Sequence, residues 1–368
     1  MFNNKFINTI KEEDNMKNKK VLVLNQGSTE NYGDIAINET IITYLKSKGF
    51  QVDYCAFWLE ELVFGKNDNQ TNKFIVRLAW HFNIIRDMLM KRFIKKDIDI
   101  SSYDSVIIGG GELLGKHLGF NTAIYVWTNI LFKHNIPIYI LGVSGNKDMS
   151  WRLLRRNKKS LHRCSRILVR DSYTYKICKE TYKVDSEQKP DVVFAFRNIC
   201  RQLENNEEIY AKDSLVCVPI IYEALKDKMN FQNKEQYFQY LNKLISNKIK
   251  LNNKVIITTT VRDDDSLAEE FYLWLKRQNT QYDISLKKYS NINDYINILK
   301  HSHTVISARM HALILAILYD CKISVIPFKE KLQVFEKEYS HNINIEEVEK
   351  NALESLDIIN KELEKQDG

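Results

Sequence analysis

Short runs of β-branched and apolar residues alternate with longer segments of helical periodicity through most of the chain. The apolar runs have the length of buried strands, and the segments between them have the length of crossover helices. In the first half, the predicted strands cover residues 21–25, 52–57, 105–108, 138–143 and 167–169. This alternation predicts an α/β fold in which helices cover a parallel sheet.

The helix predicted after the first strand has the clearest amphipathic pattern. Ile37, Ile41, Tyr44 and Leu45 fall on one face, and Gly49 follows the last turn. Their spacing predicts a helix over residues 35–48 that packs one side against the sheet.

A second α/β series begins after the polar stretch RQLENNEEIYAKD. Its predicted strands cover residues 215–220, 254–259, 303–307 and 323–326, and its predicted helices cover residues 264–278 and 312–319. The sequence therefore predicts two Rossmann-like domains, 19–200 and 210–335, that face one another across a cleft. An N-terminal extension, 1–18, precedes them, and a C-terminal helix within 340–368 is expected to pack back across both. Open α/β sheets bind ligands at the carboxyl ends of their strands, so the cleft is the expected site.

Charge and cysteine usage narrow the class of protein. Lys and Arg number 54 against 47 Asp and Glu, and this net charge of +7 favours an anionic ligand without indicating nucleic acid. The six cysteines include no CxxC pair, which is typical of reduced intracellular thiols and not of a zinc site or a disulfide framework. No signal peptide and no membrane-spanning segment is recognisable, so we expect a cytoplasmic protein.

The composition of residues 73–96 is compatible with a contact between this segment and a membrane. This segment mixes Trp80, Phe82 and Met90 with several Arg and Lys residues. Such a pattern is typical of a peripheral helix at the inner face of the membrane, next to anionic lipid. A connecting helix that lies on the sheet would have a similar pattern, and the sequence does not separate the two.

The first candidate site is the junction LNQGSTENYGDIAI, between the first strand and its helix. Gly27 and Gly33 let the backbone turn sharply, and Asp34 stands where the helix begins. Asp34 could be an N-cap alone. In the functional interpretation, Gly27, Asn31 and Gly33 hold a substrate, and Asp34 accepts a proton from a hydroxyl group.

The second junction, IIGGGELLG, places Gly109, Gly110, Gly111 and Glu112 directly after a buried strand. Consecutive glycines leave backbone N–H groups open to a sugar or a phosphate. The spacing matches neither the dinucleotide motif nor the P-loop.

Two further junctions contain cationic side chains. Arg170 follows the strand 167–169, where it could pair with an acid such as Asp171 or reach into the cleft. Arg309 and His311 stand at the start of an apolar helix, whose N-terminus already has a partial positive charge. Added cations are unfavourable there unless an anion arrives, so we predict an anion site. In the alternative, His311 is neutral and bonded to a local carbonyl, and Arg309 pairs with an acid of the chain.

Two motifs that resemble metal sites have simpler explanations. HSHT has HxH spacing but no cluster of partners, and the acids of VRDDDSLAEE are explained by the dipole of the helix that they open. We therefore expect no metal and no cofactor.

Five motifs in order, GSTENYGDIAI, IIGGGELL, LVRDSYTY, KPDVVFAF and SARMHALILA, resemble the polysaccharide pyruvyl transferase family over residues 21–328. The resemblance implies a glycosyltransferase-B-like architecture, with the acceptor on the N-terminal domain and the donor on the C-terminal one. It also implies transfer of pyruvate from phosphoenolpyruvate to two hydroxyls of a saccharide as a cyclic ketal. Arg309 and His311 match the Arg-x-His site of the family, and Arg170 matches its phosphoenolpyruvate-binding arginine. The stretch GVSGNKD and the pair Asp191-Val192 depart from the pattern of many relatives.

The implied chemistry suits these residue types. Phosphoenolpyruvate has a phosphate and a carboxylate on three carbons, so its site needs closely spaced cations and helix-end N–H groups. His311 would be the general acid and Asp34 the base. The expected acceptor is a saccharide, lipid-linked or nucleotide-linked. The alternatives are a nucleotide-sugar-dependent glycosyltransferase and a saccharide-binding protein without turnover.

Overall fold

A computed structural model describes residues 8–9, 19–26, 30–58, 81–200, 211–249, 254–278, 282–340 and 343–365. The chain divides into two compact units. The first unit consists of Met1–Ser28, Ile37–Ala195 and Lys350–Gly368, and the second consists of Thr29–Ala36 and Phe196–Glu349. Each unit is built around its own sheet.

Seven strands form the sheet of the first unit: β1 Asn8–Thr9, β2 Lys20–Asn25, β3 Gln51–Ala56, β4 Ser105–Gly109, β5 Ile138–Val143, β6 Arg166–Val169 and β7 Glu187–Gln188. Their order is β1-β3-β2-β4-β5-β6-β7, and all neighbours are parallel except β1 and β3. The five long strands follow the flavodoxin-like order, in which the direction of strand addition reverses between β2 and β4. β4 and β5 are buried along their whole length, which explains their unbroken apolar runs.

The helices of the first half are α1 Tyr32–Ser47, α2 Asn83–Asp97, α3 Leu118–Lys133, α4 Trp151–Leu161 and α5 Ser172–Ile177. Met90 in α2 is buried whereas Phe82 just before it is exposed, so this helix packs one side on the core and leaves another open. Trp80 and the rest of residues 73–80 lie outside the described residues. No helix in the described ranges is both long enough and apolar enough to cross a lipid bilayer.

The second unit has five strands: β8 Ser214–Val218, β9 Lys254–Thr258, β10 Asp283–Lys287, β11 Ser302–Ser307 and β12 Lys322–Val325. They are all parallel, in the order β10-β9-β8-β11-β12. This is the Rossmann order without its sixth strand, and its switch point lies between β8 and β11. The accompanying helices are α6 Phe196–Cys200, α7 Lys226–Met229, α8 Lys234–Ser246, α9 Asp265–Arg277, α10 Ile292–Lys300, α11 Met310–Leu318 and α12 Glu330–Tyr339.

The chain ends in a long helix, α13 Ile345–Glu364, whose residues from Lys350 onward group with the first unit. Glu354 pairs with Lys189 at 2.9 Å, and the carbonyl of Leu363 accepts a hydrogen bond from Lys19 Nζ at 2.6 Å. With two parallel sheets covered by helices, the predicted α/β class is confirmed.

Candidate functional site

The segment just before and within the first turn of α1 is bonded to the carboxyl end of the second unit's sheet. Asn31 pairs with Val261, three residues beyond the end of β9, in an antiparallel bridge. The N–H of Tyr32 donates to the carbonyl of Thr260 at 2.9 Å. These bonds hold the side chains of residues 31–34 at the edge where parallel sheets bind ligands.

Tyr32 anchors this segment with its side chain as well. Its buried ring stacks on Tyr289, with ring centroids 4.4 Å apart, and on Tyr295, at 5.7 Å. The hydroxyl accepts a hydrogen bond from the N–H of Ser290 at 2.8 Å. Burial raises the pKa of the Tyr32 phenol above its ordinary value, so the group is neutral at physiological pH.

Asn31 stands immediately before the first residue of α1. Its Oδ1 accepts from the N–H of Gly33 at 3.0 Å, and its Nδ2 donates to Oδ2 of Asp34 at 2.9 Å. Asp34 therefore lies inside the first turn, where the helix dipole favours a carboxylate, and the cap position belongs to Asn31. This corrects the interpretation of Asp34 as the N-cap. Gly27, the other glycine of this junction, lies outside the described residues.

Gly33 lies directly against the half-buried ring of His311. A Cβ atom added to Gly33 would overlap the imidazole, with only 2.6 Å to its Cγ and less to its Nδ1. Two junctions that are far apart in the sequence therefore touch, and glycine is the residue that leaves room for this histidine.

Arg309 precedes α11 and is held by a buried carboxylate. Its Nε donates to Oδ2 of Asp264 at 2.9 Å, and its Nη2 donates to Oδ1 at 2.8 Å. Asp264 is fully buried and also accepts from the N–H of Ile221 at 3.0 Å. Ile221 follows β8 and Arg309 follows β11, so this network lies at the switch point of the sheet.

The anion beside the start of α11 is thus an acid of the protein itself. We expected an external anion there, and for Arg309 the structure shows the alternative, an ion pair with Asp264. Burial raises the pKa of Asp264 above its ordinary value, against the opposing effect of Arg309. Among the described residues no acceptor contacts Nη1 of Arg309, and a third of the side chain (33%) is exposed. The guanidinium is therefore fixed on one edge and accessible on the other.

Asp264 and Tyr32 are the site residues that sequence reasoning missed. Asp264 belongs to VRDDDSLAEE, whose acids were assigned to the helix dipole, and Tyr32 was passed over inside the first junction. The available signal for Asp264 was its position at the start of the predicted helix that follows the strand 254–259, on the carboxyl side of the sheet.

The glycine junction of the first unit packs closely against α1 at two of its three glycines. A Cβ on Gly109 would come within 2.6 Å of Ile41, and one on Gly110 within 2.5 Å of Ile37, both in α1. The N–H of Gly110 donates to the carbonyl of Leu141 at 2.7 Å, so it is not the open donor that we expected. Gly110 and Gly111 have φ angles of 67° and 80°, which glycine tolerates best. Glu112 follows, half-buried.

Arg170 lies in the interior of the first unit and not on an open surface. Its Nη1 donates to Oδ2 of Asp191 at 2.7 Å, and its Nη2 donates to the Ser144 hydroxyl at 2.8 Å. The side chains of this pair are 3% and 4% exposed. Asp171, the partner suggested by the sequence, instead accepts from the N–H of Thr174 at 2.6 Å and caps α5. Arg170 therefore ties the end of β6 to the turn after β7. Of the two alternatives for this residue, the structure shows the pairing with an acid, and that acid is Asp191.

Comparison with solved structures shows that the fold is similar to that of UDP-GlcNAc 2-epimerases. The enzyme from Methanocaldococcus jannaschii is 11% identical, with a TM-score of 0.55 over 91% of this chain and 92% of that one. The enzyme from Rickettsia bellii is 10% identical, with a TM-score of 0.52 over 93% and 95%. The Neisseria meningitidis enzyme bound to UDP-GlcNAc is 10% identical, with a TM-score of 0.50 over 94% and 100%. At these identities the likeness concerns the fold alone, which is of the glycosyltransferase-B type.

Comparison with curated proteins finds no match. The family model for polysaccharide pyruvyl transferases matches residues 31–327, which is most of the chain. The matched region contains the part of the first junction that begins at Asn31 and the whole of the second glycine junction. It also contains Arg170 and the Arg309–His311 pair. The chain belongs to the polysaccharide pyruvyl transferase family.

Proposed function

We propose that this protein transfers pyruvate from phosphoenolpyruvate to two hydroxyls of a saccharide and forms a cyclic ketal. Membership of the family supports a transferase that acts on polysaccharides, and the donor and the ketal product are the proposed part. The observation that carries the proposal is the contact of Gly33 with His311, next to Arg309, at the switch point of the second sheet. His311, a titratable group, and Arg309, a fixed cation, then lie at the same edge of the second sheet, where parallel sheets bind ligands.

Arg309 is suited to bind the donor. Because Asp264 holds Nε and Nη2, the guanidinium is oriented before a ligand arrives, and Nη1 can donate to a phosphate or a carboxylate. The first N–H groups of α11 have no acceptor within the helix and can add hydrogen bonds to an anion. Asp264 neutralises the charge of Arg309, so these N–H groups must contribute much of the attraction for a doubly acidic donor.

His311 would supply the proton that the reaction needs. Protonation of the methylene C3 of phosphoenolpyruvate makes C2 electrophilic, one hydroxyl of the sugar adds to C2, and the second then displaces phosphate. Of the two protons that the hydroxyls lose, one replaces the proton given to C3 and the other leaves with the phosphate. Asp34, half-buried in the same segment as Gly33, would accept a hydroxyl proton.

The direct test measures phosphate release from phosphoenolpyruvate with a panel of saccharide acceptors, and the mass of the product. We expect His311→Ala to lower the rate about a hundredfold or more, because positioned proton transfer contributes that much. His162→Ala, which removes an exposed histidine, is the matched control and should leave the rate unchanged. Equal rates for His311→Ala and wild type would remove the proposed acid.

Ligand-induced thermal stabilisation separates the alternatives. Phosphoenolpyruvate should raise the melting temperature, since a ligand that binds only the folded state stabilises it. Stabilisation by UDP or UDP-sugars alone would instead indicate a glycosyltransferase. Tight binding of a saccharide with no response to either donor would indicate a binding protein without turnover.

A further inference from the structure

The positive charge of the chain is concentrated on two helices of the first unit. α2 and α4 together contain ten Lys and Arg residues and two Asp residues, which give a charge of +8. The whole chain has a net charge of +7. The rest of the chain is therefore close to neutral. The excess of Lys and Arg over Asp and Glu lies on these two helices.

Ion pairing and stacking join these two helices through α3. Arg156 of α4 donates from both terminal nitrogens to Asp87 of α2, at 3.0 and 2.6 Å. Its Nε donates to Asn121 of α3 at 2.8 Å, and its guanidinium lies 4.0 Å from the ring centroid of Tyr125. Arg156 therefore donates to both oxygens of the Asp87 carboxylate.

A shallow, open cavity of about 310 Å³ lies where the three helices meet. Asn83 of α2, Tyr125 of α3 and the basic side of α4 line it. Arg152, Arg155 and Lys159 are exposed there, and no acid in the described part of the chain lies within ion-pair distance of them. As far as the described residues go, the cavity therefore presents several cations without acidic partners, which is an arrangement that attracts phosphate groups.

Large apolar side chains are exposed on both helices of this surface. Trp151, which lines the cavity, is 65% exposed, and Ile84 and Met88, one turn apart on α2, are 82% and 61% exposed. Side chains of this size are rarely left in water together unless they bind something. Aromatic and aliphatic groups beside Arg and Lys are the composition of surfaces that insert into the headgroup region of a bilayer.

We propose that the α2–α4 surface, formed by Ile84, Met88, Trp151, Arg152, Arg155 and Lys159, binds a phospholipid bilayer with anionic headgroups. A headgroup phosphate lies in the cavity, and Trp151, Ile84 and Met88 enter the boundary between headgroups and acyl chains. Charge complementarity selects the anionic bilayer, and the aliphatic side chains select it over nucleic acid, which offers Ile84 and Met88 no apolar phase. The proposal goes beyond pyruvyl transfer and does not depend on it.

The test is sedimentation of the full chain with vesicles of phosphatidylcholine, alone or mixed with phosphatidylglycerol. We expect binding to the mixed vesicles only. The triple variant Arg152→Gln/Arg155→Gln/Lys159→Gln should bind about a hundredfold less tightly, because each basic side chain near an anionic surface contributes about fivefold. The matched control, Lys243→Gln/Lys276→Gln/Arg277→Gln, removes the same charge from exposed positions of α8 and α9 and should bind as the wild type does.

Tryptophan fluorescence with brominated lipid tests the apolar half of the surface. Vesicle binding should quench part of the emission in the wild type, and Trp151→Phe should abolish that quenching while binding persists. Exposed side chains contribute little to stability, so the variants should melt at the wild-type temperature. Equal binding of the triple variant and its control, no binding to anionic vesicles, or tighter binding to duplex DNA than to vesicles would each overturn the proposal. None of these results would bear on phosphate release from phosphoenolpyruvate.

Discussion

Arg309 and Asp264 form a two-point ion pair in which one partner is fully buried and the other is one-third exposed. This asymmetry decides what each substitution does. Removal of Arg309 leaves the Asp264 carboxylate buried without its counter-charge, whereas removal of the Asp264 charge leaves a cation that water can reach. Because burial holds the pKa of Asp264 above its ordinary value, the desolvation cost of the carboxylate exceeds the attraction of Arg309.

We therefore expect Arg309→Met to lower the free energy of unfolding by about 3 kcal/mol at neutral pH, and Asp264→Asn to change it by about 1 kcal/mol or less. The loss in Arg309→Met should shrink as the pH falls, since Asp264 becomes protonated and no longer needs a counter-charge. The sign follows from linkage: a raised carboxyl pKa in the folded state means that stability is lost as the pH rises through it. Urea unfolding at acidic and neutral pH measures both effects. Equal losses in the two variants would contradict this account.

Asp264→Asn should nevertheless impair the proposed transfer from phosphoenolpyruvate. The amide offers one acceptor oxygen in place of two, so the orientation of Arg309 is no longer fixed. We expect KM for phosphoenolpyruvate to rise at least about tenfold, as for a lost hydrogen bond between charged groups. Asp263→Asn, at an exposed neighbouring position, is the control and should leave KM unchanged.

Gly33→Ala tests the contact with His311. The added methyl group would overlap the imidazole and would also lie 2.8 Å from Cβ of His311, so rotation of the ring alone does not relieve the overlap. The first turn of α1 and His311 must move apart, and we expect the transfer rate to fall about a hundredfold and the melting temperature to fall with it. Gly115→Ala is the matched control, because the nearest atom to its Cβ is 3.5 Å away, an ordinary contact. If Gly33→Ala retained the wild-type rate, the position of His311 against Gly33 would be irrelevant to the reaction.

Arg166, the first residue of β6, and Arg170, directly after the strand, give a matched pair of substitutions. Arg170→Met leaves Asp191 uncompensated in the interior and should lower the free energy of unfolding by about 3–5 kcal/mol. Arg166→Met breaks a pair with Glu187 in which the side chains are 35% and 42% exposed, and it should cost less than about 1 kcal/mol. Chemical denaturation measures both free energies of unfolding. A loss of less than about 1 kcal/mol for Arg170→Met would contradict the buried ion pair and favour the alternative in which Arg170 reaches a ligand.

Thiol labelling tests the burial of the cysteines. Burial raises the pKa of the Cys178 and Cys321 thiols to about 11, and that of Cys55 to about 12, so the thiolate is scarce at neutral pH. We expect these three residues to react slowly with Ellman's reagent in the folded protein and rapidly in denaturant. Rapid labelling of Cys178 or Cys321 in the folded protein, located by peptide mass, would contradict their buried positions.

The fold was largely predictable because hydrophobic periodicity is a local property. The predicted strand 138–143 coincides with β5, and most other strand boundaries differ by one or two residues. β10 escaped notice because it is an edge strand in which Ile284 alone is fully buried, so it has no apolar run. α8 was overlooked although its buried residues have helical spacing.

The site was predictable only as separate pieces. Local pattern indicates the junctions that contain Gly33 and His311, but it does not indicate that they touch. Likewise, the sequence suggests an acidic partner for Arg170, yet proximity along the chain favours Asp171. The parallel register of β6 and β7 brings Asp191 to Arg170 instead. Partner choice over long sequence separations depends on sheet topology, which a single sequence does not specify.

The anchoring of Tyr32 also has a consequence for biosynthesis. Its hydroxyl bonds to the N–H of Ser290, 258 positions further along the chain, and Asn31 pairs with Val261. A nascent polypeptide emerging from the ribosome therefore carries residues 31–34 without their final neighbours until most of translation is complete. The early strands can assemble while synthesis proceeds, but the contact between Gly33 and His311 is among the last parts of the molecule to form.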